Sequence, residues 1–464
     1  MSRTNQTIDW NADLESIDPE LAWSPWEPSS KEPWSIERAA LLFRRAGFGA
    51  SQDELKATIK ESPTICIDRL LGKKRQESSI ADTFEEESAI LAKGVLASGD
   101  SRNLASWWLH RLQHSPCPTV EKLTLFWHGH FATGAEKVID PELMLEQNRT
   151  LRRNASGSFR TMVQEISKDP AMLIYLDSVT NRKAHANENY ARELMELFCL
   201  GEGNYTEQDV QQLARCFTGW EIRRKQFRFN PYQHDSGKKS ILGVDNVDSG
   251  EEAIDCVVRH KATPNFIVRK LFKFFLCDEP EPSDDFLAPL AATFIDSSFS
   301  VQPVVEKLLS SRLMLSGWPV GRKIRSPIDV AMACLRGLQA TTNLDALTKR
   351  LRPLGQSLFY PPNVKGWDGG RSWINSSTLI GRANLVHDMI RDENTRFGGQ
   401  SLSQWCERQR IRSSEGWLAY LEATLLAKPL NAEARRTLLF EADSKNDRAS
   451  LLIQLCSLPQ FHLS

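Results

Sequence analysis

Residues 187–198 read NENYARELMELF. Asn187 offers a side-chain oxygen for an N-cap, and Glu188 follows in the first turn, where the positive end of the helix dipole favours a carboxylate. Tyr190, Ala191, Leu194, Leu197 and Phe198 recur at helical spacing, which predicts a helix over 187–200 with one apolar face. At about 100° per residue, Glu188 and Glu193 flank that face and Glu196 lies farthest from its centre. Glu188 and Glu193 are therefore the carboxylates able to reach inward as proton acceptors. Glu193, beside Tyr190 and Leu197, could carry a raised pKa suited to ligation or proton transfer. Glu188, Arg192 and Glu196 also stand at i, i+4 and i+8, so a ladder of weak surface ion pairs competes with that reading.

Helical spacing extends outward in both directions. Ser35 opens the run IERAALLFRRAGFG, and Ser51 to Glu54 form a capping-box pattern. Further helices are predicted over 84–98, 102–114, 119–128, 140–155, 158–168, 206–219, 251–260, 264–276, 301–310, 326–338, 374–392, 414–426 and 446–456. Strand alternation is almost confined to Gln226-Phe227-Arg228-Phe229, which we pair with Lys239-Ser240-Ile241-Leu242 across the intervening loop. The expected fold is mainly α, a multi-helical globular bundle with one small β-hairpin near residues 226–242. Residues 1–34, with Trp10, Trp23, Trp26 and Trp34, read as an extended arm whose indoles dock on the body. Residues 35–394 read as the helical core domain and 395–464 as a helical appendage.

A formal net charge of -1 on 464 residues leaves no basic excess to hold a phosphate backbone, so nucleic acid is not an expected partner. The nine cysteines stand singly without a CxxC pair, which indicates neither a disulfide framework nor a thiolate zinc site. No signal peptide and no stretch of membrane-spanning length is seen, so a soluble, cytoplasmic protein is expected. Without a Walker loop, a GxSxG elbow or a GxGxxG after a strand, neither nucleotide nor flavin is expected.

Residues 121–131 read EKLTLFWHGHF. Two residues apart on a helix are separated by about 200°, so His128 and His130 could share a metal only where Gly129 lets the chain leave helical geometry. A His-x-His pair suits zinc, iron or copper. The competing reading has one histidine capping carbonyls at a helix end and the other packed among Phe126, Trp127 and Phe131. The loop containing His234, Asp235 and Lys238 adds an imidazole, a carboxylate and a cation on a Gly-containing turn. His110 and His114 have chelate spacing without the Glu of an HExxH motif and read as ordinary helix residues. In GQSLFYPPNVKGWDGGRSWINS, residues 355–376, Trp367 and Trp373 stand among Asn363, Lys365 and Asp368. Indoles beside polar groups suit a sugar ring, and the same density of Trp and Pro also makes a rigid plug.

Taken in order, LFRRAGFGA, EKLTLFWHGHF, residues 151–160, DPAMLIYLDSVTNRKAHANENYARELMELFCLGEGNYTEQDVQQLARCFTGW, HDSGKKSILG and GQSLFYPPNVKGWDGGRSWINSS resemble the bacterial domain of unknown function 1800 family, from about Ser35 to His387. The resemblance implies no settled reaction. It implies members that are often exported and encoded beside sulfatase-like proteins, so a sulfatase-like protein is the expected partner. Many members resemble ELMELHTLG where this chain has Phe198, so any ligand role of that histidine is lost here. The expected function is a metal-dependent hydrolase or oxidoreductase. In it, His128, His130 and His234 bind a divalent metal, Glu188, Glu193 or Asp235 moves protons, and Arg192, Lys238, Trp367 and Trp373 hold substrate. The alternatives are a non-catalytic assembly partner of the sulfatase-like protein and a polysaccharide-binding protein.

Overall fold

A computed structural model describes residues 7–9, 11–73, 79–445 and 447–464; Trp10 lies outside them. The fold is mainly α, and the strands among the described residues form three two-stranded antiparallel sheets. Local chemistry explains many helix starts. Ser51 and Glu54 form a capping box ahead of the Gln52–Thr58 helix, and Pro118 occupies the first turn of the Pro118–His130 helix, where its missing N–H costs nothing.

The strand pairing differs from the sequence expectation. Gln226–Phe229 pairs with Trp220–Arg223, while Ser240–Ile241 pairs with Val244–Asp245. Arg224 and Lys225 turn the first hairpin with φ of 52° and 63°. That two-residue geometry usually calls for Asn-Gly, so Arg-Lys hid the turn.

Two apolar cores fill the molecule. The first runs from the N-terminal segment, including Trp23, through Phe159, Phe198 and Phe272 to Trp318. The second joins Trp108, Leu145, Met332 and Leu385 to Trp405, Trp417 and Phe461. The Pro118–His130 helix serves both, because Leu123, Phe126 and Trp127 enter the first core and Leu125 the second. Within the N-terminal segment, Trp23 donates its Nε1–H to the Phe286 carbonyl at 2.7 Å.

A buried carboxylate locks the bridging helix to its neighbours. Glu121, 1% exposed, accepts from Arg111, Arg152 and the indole of Trp108 at 2.9–3.2 Å. All nine cysteines are free thiols, eight of them buried and Cys256 partly so. Among the described residues, no helix is long and apolar enough to cross a membrane.

Candidate functional site

The bridging helix stays helical through Gly129, since Phe131 N–H still reaches the Trp127 carbonyl at 2.8 Å. The geometry that would let His128 and His130 share a ligand is therefore absent, and the two rings take different partners. His128 is 1% exposed and lies edge-on to Trp108; its Nε2 accepts the Phe359 backbone N–H at 3.1 Å. Burial pushes its pKa down to about 3, so the ring is neutral at ordinary pH.

His130 faces the end of the helix at 189–199. The last part, Leu194–Cys199, widens into a π-turn in which Leu200 N–H reaches back to the Met195 carbonyl at 2.8 Å. The carbonyls of Leu197 and Phe198 are left to outside donors. Lys270 donates to Leu197 at 2.9 Å, and His130 Nε2 bonds Phe198 at 2.9 Å. A carbonyl only accepts, so the His130 proton sits on Nε2 and Nδ1 receives Lys270 Nζ at 3.1 Å. Burial, then the charge of Lys270, hold the His130 pKa well below its usual value. His130 both bonds the Phe198 carbonyl and packs against Phe126, Trp127 and Phe131. His128 packs among Trp108, Phe359 and Trp367, so the two roles of the competing reading are not divided between the rings as expected. Phe198 fills its place with carbon, its ring 5.9 Å from that of His130.

The remaining metal candidate lies on other contacts. His234 bonds the Thr218 carbonyl through Nδ1 at 2.9 Å and the Asp248 carbonyl through Nε2 at 3.2 Å. No group of three His, Cys, Asp or Glu among the described residues is arranged to hold a metal ion. The expected convergence of His128, His130 and His234 does not occur, because main-chain groups engage each ring.

The carboxylates divide similarly. Asp235 is clamped by Arg215 at 2.7 and 3.1 Å and accepts the Gly237 N–H, which holds its pKa down at about 2. These bonds fasten the loop. Glu188 pairs with Arg192 at 3.3 Å, and Arg192 makes two further bonds of 2.7 Å to Glu207. This spends the inward-reaching role expected of Glu188 and the substrate role expected of Arg192 on a surface network. Glu196 accepts from Tyr205 at 2.8 Å instead of extending that network. Glu193 is half-buried, and burial followed by repulsion from Glu196 raises its pKa. Lys238 is exposed, its carbonyl bound by Arg215.

The structure instead joins two motifs far apart in sequence. The loop at 359–373 lies on the end of the bridging helix, with Trp367 against Gly129 and 5.6 Å from the His128 ring. Between this loop, the bridging helix and the Thr263–Phe275 helix opens a cleft of about 420 Å³. Phe126, Phe266, Phe274, Trp367 and Trp373 supply aromatic walls, and His130 and Lys270 stand among them. Lys122 pairs with Asp329, and Lys323 with Asp278 at 2.8 Å. Among the described residues, no carboxylate forms an ion pair with Lys270, Lys273 or Lys365, and Asp368 is the lining acid left without a cation. The cleft is thus aromatic with a cationic surplus. Burial pushes Lys270 down to about 8, within reach of proton exchange near neutral pH.

A second cavity of about 600 Å³, which includes His114, is larger, and several of its polar groups are already engaged. There Arg336 donates to the Gln113 carbonyl, Arg69 to Glu61, and Glu54 closes a capping box.

Residues 41–463 match the family model described as protein of unknown function (DUF1800). The chain belongs to the DUF1800 family. The match runs through the last seventy or so residues, beyond the motifs that carry the resemblance in sequence, and ends where the DUF1800 chain contributes Trp405, Trp417 and Phe461 to the second core. No curated protein and no solved structure matches this DUF1800 chain.

Sequence reasoning missed Lys270. Phe266, Lys270 and Phe274 stand at i, i+4 and i+8, which places a lysine on an aromatic stripe of the predicted helix over 264–276. A cation inside an apolar stripe was the available signal.

Proposed function

We propose that this chain binds an acidic sugar or short acidic oligosaccharide in the 420 Å³ cleft, a development of the polysaccharide-binding reading. The observation that carries the proposal is that Trp367 and Trp373 line the same cleft as Lys270 and Lys365. Indole faces stack on sugar rings, and amines without carboxylate partners suit an anionic substituent. Trp367 Nε1–H is buried without an acceptor among the described residues, so a ligand oxygen would satisfy it. Lys270, bonded to His130 Nδ1, is the group from which proton transfer to a bound sugar would begin.

The test is a screen of neutral and uronic or sulfated oligosaccharides by thermal shift and tryptophan fluorescence, repeated with Trp367→Phe and Lys270→Gln. Acidic sugars should bind, Lys270→Gln should weaken them more than neutral ones, and Trp367→Phe should weaken both. Equal failure of acidic and neutral sugars with the folded wild-type protein overturns the reading.

A further inference from the structure

Two thiols of the second core lie side by side. Cys334 belongs to the Pro327–Gly337 helix and Cys456 to the Arg448–Ser457 helix, 122 positions apart in sequence. Their sulfurs stand 3.8 Å apart, both side chains are buried, and both are free thiols. The guanidinium of buried Arg325 acts on both of them. A metal cation held between the sulfurs would be repelled by that guanidinium, whereas a neutral bond between the sulfurs would not.

We propose that Cys334 and Cys456 form a disulfide under oxidising conditions, stapling the C-terminal helix Arg448–Ser457 to the Pro327–Gly337 helix.

A disulfide sets its sulfurs about 2.05 Å apart, so from 3.8 Å the pair has roughly 1.8 Å to close. The oxidant is a second disulfide, of the oxidised glutathione class. One thiolate of the pair attacks it and displaces one glutathione thiol. The other thiolate then attacks the mixed disulfide and displaces the second glutathione. Two cysteine thiols are oxidised, one donor disulfide is reduced, and the two cysteine protons end on the released glutathiones.

Burial, then the neighbouring Cys334, hold the Cys456 thiol well above its ordinary pKa, although Arg325 pulls it down. The docked pair is therefore slow to react, and exchange takes place before the Arg448–Ser457 helix docks or when it lifts. Once made, the bond closes a long loop and prevents further lifting. Ser326 and Asp329, at the start of the Pro327–Gly337 helix, line the 420 Å³ cleft, so the staple anchors a helix that forms part of the cleft wall. Formation of the bond does not depend on what the cleft binds.

The test incubates the full chain, prepared with reductant, in reduced and oxidised glutathione with urea below the unfolding range, then alkylates and digests it without reduction. Mass spectrometry should find a peptide linking Cys334 to Cys456. The melting temperature should rise by about 3–6 °C and fall back with dithiothreitol. Cys456→Ser should show neither the link nor the rise; should that variant fail to fold, the wild-type link and its reversal decide alone. A pair still reduced after this treatment, or oxidised protein that melts no higher than reduced protein, overturns the proposal.

Discussion

Gly366 lies so close to Gly129 that a Cβ placed on it would stand 2.0 Å from the Gly129 carbonyl oxygen. Gly366 also has φ of +77°, so a side chain is disfavoured both by contact and by backbone conformation. Gly366→Ala should cost about 3–4 kcal/mol in urea denaturation, because the obstacle is backbone that cannot swing away. At Gly129 the nearest obstacle to a Cβ is Trp367 at 3.5 Å, an ordinary contact. Gly129→Ala should therefore stay within about 1 kcal/mol of wild type, aided by helix propensity. Equal effects of the two changes would contradict the docking of the 359–373 loop on this helix end.

Lys270 gives a pH signature. Its folded pKa is about 8 against an ordinary 10.5, so between these values the unfolded chain binds more protons and stability rises with pH. Below about pH 8 both states are protonated and the full cost of burying the charge is present. Wild type should gain stability relative to Lys270→Met as pH is raised from 8 toward 10.5, as read by paired denaturant titrations. A difference independent of pH would show that the amine is not held in a buried environment.

Glu121, the single carboxylate of the bridging helix, has two guanidiniums and an indole on it. Glu121→Gln removes the charge and faces an amide N–H₂ toward donors. The expected loss is about 3–5 kcal/mol, the range for breaking one partner out of a buried ion network. A loss under about 1 kcal/mol, measured by calorimetry and chemical denaturation, would refute that role.

Asp235→Asn distinguishes a fastener from a catalytic base. The carboxylate stabilises the fold while ionised, above its unfolded pKa near 3.8, and that contribution is lost as pH falls toward about 2. At neutral pH the substitution should cost about 1–2 kcal/mol and speed amide exchange in residues 233–238. The gap from wild type should close in acid. Ligand affinity in the cleft should not change, and a large loss of affinity would return Asp235 to the site.

The sequence was most informative where one face of a helix is buried. The helix at 301–310 has the boundaries its apolar period predicts, and Pro118–His130 exceeds its predicted span by one residue at the start and two at the end. The Asp284–Asp296 helix escaped notice because Pro289 lies inside it and reads as a break. Within the site, the unusual residues were visible but their partners were not. His130 could be singled out, yet nothing beside it in sequence points to its partner Lys270, which stands 140 positions away. Trp367 and Gly129 were each noticed, and only tertiary structure brings them into contact. Candidates such as His128 and Asp235 proved to be bound to backbone and arginine, because polar groups in short supply of water take the nearest partner the fold offers.

The Pro118–His130 helix contributes side chains to both cores and ends at the cleft floor. Neither half of the molecule can loosen along that helix without disturbing the other, so heating should give one melting transition rather than two. A molecule seated against Gly129 would then raise the stability of residues far from it, and hydrogen exchange in the C-terminal helices would slow on binding at a place they never touch.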